Sequence, residues 1–208
     1  MKIFVLGATG GVGQHVVDQA LAAGHTVTAS ARSALSRTHE FLTVVTGDAT
    51  EAGVLRGQVV GHDAVICCVG GGLSDRTTRT EATRHLVGAM GEHGVRRLVL
   101  VSSLGAGDSY GRVGFATKAI VKTLLRNAIH DHNGQEDAVK AAGDAIAATV
   151  LRPGGLSDEP PQAYTTVVGG QGALSGKGRI ARAAVAEVAL QALSEPTWEG
   201  TSVAVLPA

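Results

Sequence analysis

With 208 residues, the chain is long enough for one well-buried domain, and 44% hydrophobic against 17% charged residues suits an ordinary globule. Eighteen basic and eighteen acidic residues cancel, which leaves the whole chain without the electrostatic footprint that nucleic acid or an anionic membrane calls for. No apolar run reaches membrane-spanning length and the N-terminus lacks a signal-peptide layout, so a cytoplasmic protein acting on a small-molecule substrate is expected.

The first element carries most of the information. The apolar run 2–6 fits a buried strand and passes directly into Gly7-Ala8-Thr9-Gly10-Gly11-Val12-Gly13 and then into a helical pattern. Glycine adopts positive φ and has no Cβ, so the backbone after the strand can turn sharply and come close to a diphosphate. The free N–H groups and positive dipole end of the following helix complete a phosphate cradle. The glycines are spaced G-x-x-G-x-x-G and differ from the G-x-G-x-x-G of most dehydrogenases.

Val12, Val16 and Ala20 recur at helical spacing, and Gly24 is placed to end that helix. The run 25–30 reads as a second strand. Its end carries Ser30-Ala31-Arg32-Ser33 and then Arg37, where an NAD site usually places a carboxylate against the ribose 2′-OH. A guanidinium can bind a 2′-phosphate in bidentate fashion, which points to NADP(H) through Arg32 and Arg37; a solvated loop residue is the alternative for each.

A third strand over 41–46 leads to Gly47-Asp48-Ala49, where Asp48 suits either an adenine amino group or a local turn. The fourth, over 63–69, is apolar after Asp63, fits burial on both faces and runs into Gly70-Gly71-Gly72, a second close backbone approach after Val69. On it lie Cys67 and Cys68, the only cysteines; neighbours on a strand point to opposite faces, so they read as buried thiols and not as a disulfide. Ala82, Leu86 and Met90 mark a helix with Thr78 or Thr80 as its cap. A fifth strand ends in Ser102-Ser103, hydroxyls at the crevice edge.

From 104 to 114 the glycine content suggests a mobile flap, followed by one helix over 115–127 and another capped by Asp131. A sixth strand over 145–151 delivers Arg152-Pro153-Gly154-Gly155 to the crevice. A short strand at 164–168, a helix over 183–193 and a last strand over 202–206 complete the pattern. His130 and His132 do not form a metal site: residues two apart on a helix share no face, and no cysteine or carboxylate cluster joins them. No linker, repeat or low-complexity tract divides 1–208, so one domain is expected, and nothing in the pattern sets an oligomeric state.

Taken together, the 7–13 glycine loop, Gly47-Asp48, Val101-Ser102-Ser103, Asp131-His132 with Gln135-Glu136, and Arg152-Pro153-Gly154 occur in the order seen in atypical short-chain dehydrogenases. Across the whole chain the sequence resembles the NAD(P)-binding group that includes biliverdin-IXβ reductase, also called NADPH flavin reductase. The resemblance implies a Rossmann-type doubly wound α/β domain with a mostly parallel sheet flanked by helices. It implies NADPH held by residues 7–13, Arg32, Asp48, Ala49, Val69, Gly70, Gly71 and Pro153, with Ser102 beside the family's active-site serine, Ser103, and His132 near the nicotinamide. One departure stands out. Family members with tyrosine chemistry carry Tyr-x-x-x-Lys after that serine, whereas Lys118 here has Gly114 four residues before it. The chemistry this implies is hydride transfer to a flat conjugated acceptor that needs no strong acid; the alternative is a non-catalytic NADP(H)-binding sensor.

Overall fold

The computed structural model describes residues 1–33, 35–170, 172–175 and 178–208. In chain order it forms β1 (Lys2–Leu6), α1 (Gly11–Ala22), β2 (Thr26–Ala31), β3 (Leu42–Thr46), α2 (Val54–Val59), β4 (Ala64–Cys67), α3 (Thr78–Glu92) and β5 (Arg97–Val101). Then follow α4 (Ser109–Arg112), α5 (Phe115–Lys122), α6 (Arg126–Ala141), β6 (Ala147–Pro153), β7 (Leu156–Ser157), β8 (Tyr164–Val168), β9 (Ile180–Ala181), α7 (Arg182–Leu193) and β10 (Thr201–Pro207).

Eight strands make one sheet in the order β3-β2-β1-β4-β5-β6-β10-β8. Every pairing is parallel except β10 with β8. Central strands of such a sheet are covered on both faces, which is why β4, and β5 after Arg97, are apolar runs and every residue of both is buried. Alternation sends Ile3, Val5, Ile66 and Cys68 into the core under α1 and α7. Phe4, Leu6, Val65 and Cys67 enter the opposite core, under α2, α3 and α6. The adjacent cysteines therefore sit in different cores, both free and buried. The order turns back between β1 and β4, and a doubly wound sheet places its ligand crevice at the carboxyl ends beside that point.

Three local expectations give way. The helix expected over 115–127 stops at Lys122, because the Thr123 hydroxyl donates back to the Ala119 carbonyl and the backbone leaves helical geometry before α6 begins at Arg126. Asp131 thus falls in the second turn of α6 and caps a different helix, as described below. The segment expected to be a flap is pinned. Gly105 N–H donates to Ser109 Oγ at 2.9 Å, Gly107 N–H donates to Asn133 Oδ1 at 2.8 Å, and Ser109 is fully buried. Among the described residues no helix is long and apolar enough to cross a membrane.

Candidate functional site

The site is built from the backbone of the β1–α1 turn. Gly7 has φ +81°, and a Cβ there would lie 2.7 Å from the Cys68 carbonyl at the end of β4, so the position excludes any side chain. Gly7 and Ala8 both donate their N–H to the Ser30 carbonyl, at 2.9 and 3.1 Å, which ties the turn to β2. A Cβ on Gly13 would collide with the Gly7 carbonyl oxygen. At Gly10 the nearest atom, the same oxygen, would be 3.2 Å away, and the residue has ordinary extended backbone.

Gly10 is the N-cap of α1. No side chain caps the helix and no acidic residue stands in its first turn. The N–H groups of Gly11, Val12 and Gly13 precede the first intrahelical donor, so this terminus offers unpaired donors and a positive dipole end to an anion. A dinucleotide diphosphate fits a glycine face of this kind.

In front of the turn lies an open cleft of about 140 Å³. Of the residues expected from the sequence to hold the cofactor, Gly7, Thr9, Gly10, Arg32, Asp48, Ala49, Val69 and Gly70 line it. Ala8, Val12 and Gly13 are buried behind the turn, and Gly11 is exposed at the rim, against the Arg182 side chain. Ser30 lines the cleft too; its hydroxyl donates to Gln58 Oε1 at 2.8 Å, and Gln58 donates on to the Thr46 carbonyl, joining the ends of β2 and β3. Asp48 Oδ1 accepts from the Thr50 N–H at 2.9 Å and the Thr50 hydroxyl at 2.7 Å. Those two bonds, with a smaller contribution from the Arg32 charge, hold the Asp48 carboxyl below its usual range. One Asp48 oxygen is thus used by its own turn. Arg37 lies outside the cleft lining and pairs with Asp18 on α1.

Gly71, Ser102, Ser103, His132 and Pro153 stand beyond that lining. Leu104 N–H donates to the Pro153 carbonyl at 2.8 Å, which sets the ends of β5 and β6 side by side with Ser103 at their edge. Ser103 is half-buried, and its hydroxyl donates locally to the Leu104 carbonyl at 3.2 Å. Ser102 is buried and donates to Glu136 Oε1 at 2.7 Å. Glu136 also takes two bonds from Arg152, at 3.1 and 2.7 Å, and Arg152 reaches Asp108 Oδ1 at 2.6 Å. The Arg152 side chain therefore stays in this buried network, and only the backbone after it reaches the crevice edge.

The Asp131 carboxylate is fully buried and crosses from α6 to the start of α3. It accepts the N–H groups of Arg79 and Thr80, each at 2.9 Å, and the Thr80 hydroxyl at 2.8 Å. Asp75 Oδ1 takes the N–H groups of Thr77 and Thr78, each at 3.2 Å. The cap expected from Thr78 or Thr80 is thus supplied by two carboxylates from elsewhere. Arg79 bridges Asp131 Oδ2 at 3.2 Å and the Gly71 carbonyl at 3.0 Å, so α6 positions the second glycine loop through α3.

His132 Nδ1 lies 3.2 Å from Gln135 Oε1. Burial, then the Arg79 charge, pushes the imidazole down to about 4, so it is neutral at pH 7. Burial also raises the Cys67 thiol to about 11 and pushes Cys68 up, which keeps both unreactive. Sequence reasoning missed Arg79, Asp75 and Gln58. Each is a common surface residue type, and its partner is distant in sequence or hidden inside a turn.

The family described as NAD(P)H-binding matches residues 7–196 of this chain. An uncharacterized chloroplastic protein of Arabidopsis thaliana is 34% identical over 205 residues, which cover 92% of this chain and 71% of the relative. Two solved structures share the fold. A short-chain dehydrogenase/reductase from Veillonella parvula in complex with NADP superposes with TM-score 0.83 at 22% identity, covering 99% of this chain and 94% of the other. The anaerobillin reductase ChuY from Escherichia coli O157:H7 superposes with TM-score 0.79 at 24% identity, covering 99% and 97%.

Proposed function

The chain belongs to the NAD(P)H-binding family, and from that premise we propose that it is an NADPH-dependent reductase that delivers hydride to a flat conjugated acceptor of the flavin, quinone or tetrapyrrole class. The observation that carries the reading is the uncapped N-terminus of α1 behind a glycine face, with Arg32 and no carboxylate directly after β2. The Gly7–Gly13 backbone would hold the diphosphate, and Arg32 would pair with the 2′-phosphate that distinguishes NADPH from NADH. When bound, the nicotinamide supplies hydride.

The proposed acceptor class rests on which side chains could supply a proton. Lys118 donates to the Gly111 carbonyl at 3.2 Å and lies 5.9 Å from the centre of the Tyr110 ring, and no tyrosine stands four residues before it. His132 is neutral and has no spare proton to give at pH 7. An acceptor that takes its proton from water suits this set, with Ser103 orienting it by a hydrogen bond. The NADP-bound Veillonella protein and the tetrapyrrole-acting ChuY lend support as proteins of the same fold. Two buried, unpaired thiols accord with a reducing compartment, and we place the protein in the cytoplasm.

The test is the loss of NADPH absorbance against a panel of flavins, quinones and linear tetrapyrroles. Turnover with at least one is expected. Tight NADPH binding with no turnover on any acceptor would overturn the reductase reading and favour a redox-sensing module.

A further inference from the structure

The neutrality of the whole chain conceals a local asymmetry. Between Ser109 and His130 the sequence carries Arg112, Lys118, Lys122 and Arg126 and no acidic residue. The same stretch holds the two most exposed large apolar side chains among the described residues, Phe115 at 88% and Leu124 at 65%, with Ile120 at 49% beside them.

Helix α5 explains how they come together. At 3.6 residues per turn, Phe115, Ala116, Ala119, Ile120 and Thr123 share its outer arc, Val121 faces inward, and Lys118 and Lys122 stand along one border. Val121 is buried against the loop at Gly105, and α6 packs behind it. The arc facing water is therefore the apolar one. A helix on the surface of a globular domain ordinarily presents charge there.

We propose that α5 with the turn at Leu124 is a docking surface for an anionic lipid bilayer, the apolar arc entering the headgroup–acyl boundary while Lys122 and Arg126 meet lipid phosphates. Charge decides between this occupant and a second copy of the chain. A two-fold self-contact would set Lys118, Lys122 and Arg126 against the same three, and a standard dimer interface takes about 20–30 residues a side, where this patch has three large apolar side chains. An amphipathic arc edged by lysine and arginine suits a negative interface, where apolar insertion and charge attraction add. Because α5 follows the loop after Ser103, docking would bring the crevice edge to the lipid surface.

The experiment is flotation of the full chain with vesicles of phosphatidylcholine alone and of phosphatidylcholine mixed with phosphatidylglycerol. Binding to the anionic vesicles only, released by raised salt, is expected. Phe115→Ser with Leu124→Ser should lower the partition coefficient by tenfold or more, on the order of what burying one such side chain contributes. Lys122→Glu with Arg126→Glu should lower it by at least about twenty-fold. Unchanged thermal unfolding and NADPH affinity in both variants would show that the fold and the cleft are intact. Absence of binding to anionic vesicles, equal binding to neutral ones, or full binding by either variant would overturn the proposal. So would a parent dimer that the Phe115→Ser, Leu124→Ser variant converts to monomer, since a second copy would then be the occupant.

Discussion

Two helices begin beside the same cleft and treat their N-termini in opposite ways. At α1 the N-cap is Gly10, which lines the cleft, and no side chain caps the first turn. At α3, whose Thr78 also lines the cleft, Asp75 and Asp131 take the N–H groups of residues 77 to 80. Both helices have the same dipole, and only one of them is available to an anion. The positive end of α3 is already neutralised from within the protein, so a diphosphate has one terminus to choose. On the proposed reading the missing cap at α1 is the functional feature, since the chain caps a neighbouring terminus with two carboxylates.

The largest expected effect breaks the α1 side. Gly13→Val puts a side chain onto the Gly7 carbonyl oxygen, so the turn must move; dinucleotide binding and several degrees of thermal stability should both be lost. At Gly10 an added Cβ meets nothing nearer than 3.2 Å inside the protein, and the residue lines the cleft. The Gly10→Val variant should keep its melting temperature to within a few degrees and still lose calorimetrically detectable NADPH binding. If Gly10→Val binds NADPH like the parent, the open terminus of α1 is not the phosphate site.

The α3 side should fail differently. Asp131→Ala removes the acceptor for two backbone donors and a hydroxyl and leaves Arg79, itself buried, without its counter-charge. Breaking one partner of a buried pair costs about 3–5 kcal/mol, to be read from urea unfolding. Asp131→Asn keeps acceptor capacity and should cost less than the alanine variant. Equal and small losses in both would show that α3 needs no cap from α6.

The same contrast explains how much the sequence disclosed. Backbone-built parts were legible: the glycine turn, the apolar β4, the hydroxyls after β5 and the short strand over Tyr164–Val168 each follow from local residue types. Contacts between distant side chains were not. Nothing around Asp131 distinguishes a cap for its own helix from a cap for one that starts 53 residues earlier, because an aspartate near a helix start serves either. Glu136 with Arg152 looks in sequence like two surface charges, and only packing shows that they are buried together. Helix α2 went unread because its six residues include Gly57 and are too few to show a period.

A smaller effect sharpens the reading of the cleft. With no carboxylate directly after β2, Arg32→Ala should weaken NADPH by about ten- to a hundredfold, the worth of one charge-assisted hydrogen bond, and leave NADH nearly unchanged. The gap between the two cofactors should narrow as salt rises, since Arg32 is exposed. Equal losses for both would make Arg32 a solvated loop residue. Arg37→Ala should matter less, because Arg37 is held by Asp18.

The smallest expected effect separates the two helix starts by pH. His132 is held down to about 4 by burial and by the charge of Arg79, the residue that links α3 to the Gly71 loop, whereas an unfolded histidine titrates near 6.5. Between these values the unfolded chain binds more protons than the folded one, so the contribution of His132 to stability is complete above pH 6.5 and is lost as pH falls toward 4. The slope has a ceiling of about 1.4 kcal/mol per pH unit, and partial exposure of the ring brings it lower. Urea unfolding of the parent at pH 7, 6 and 5, beside His132→Gln, isolates this group, because His25, whose value is also lowered, titrates alike in both proteins. The variant should show the shallower decline over that range. An identical slope would mean that His132 is solvated enough to titrate normally, and that the α3–α6 junction carries no acid-sensitive element that α1 lacks.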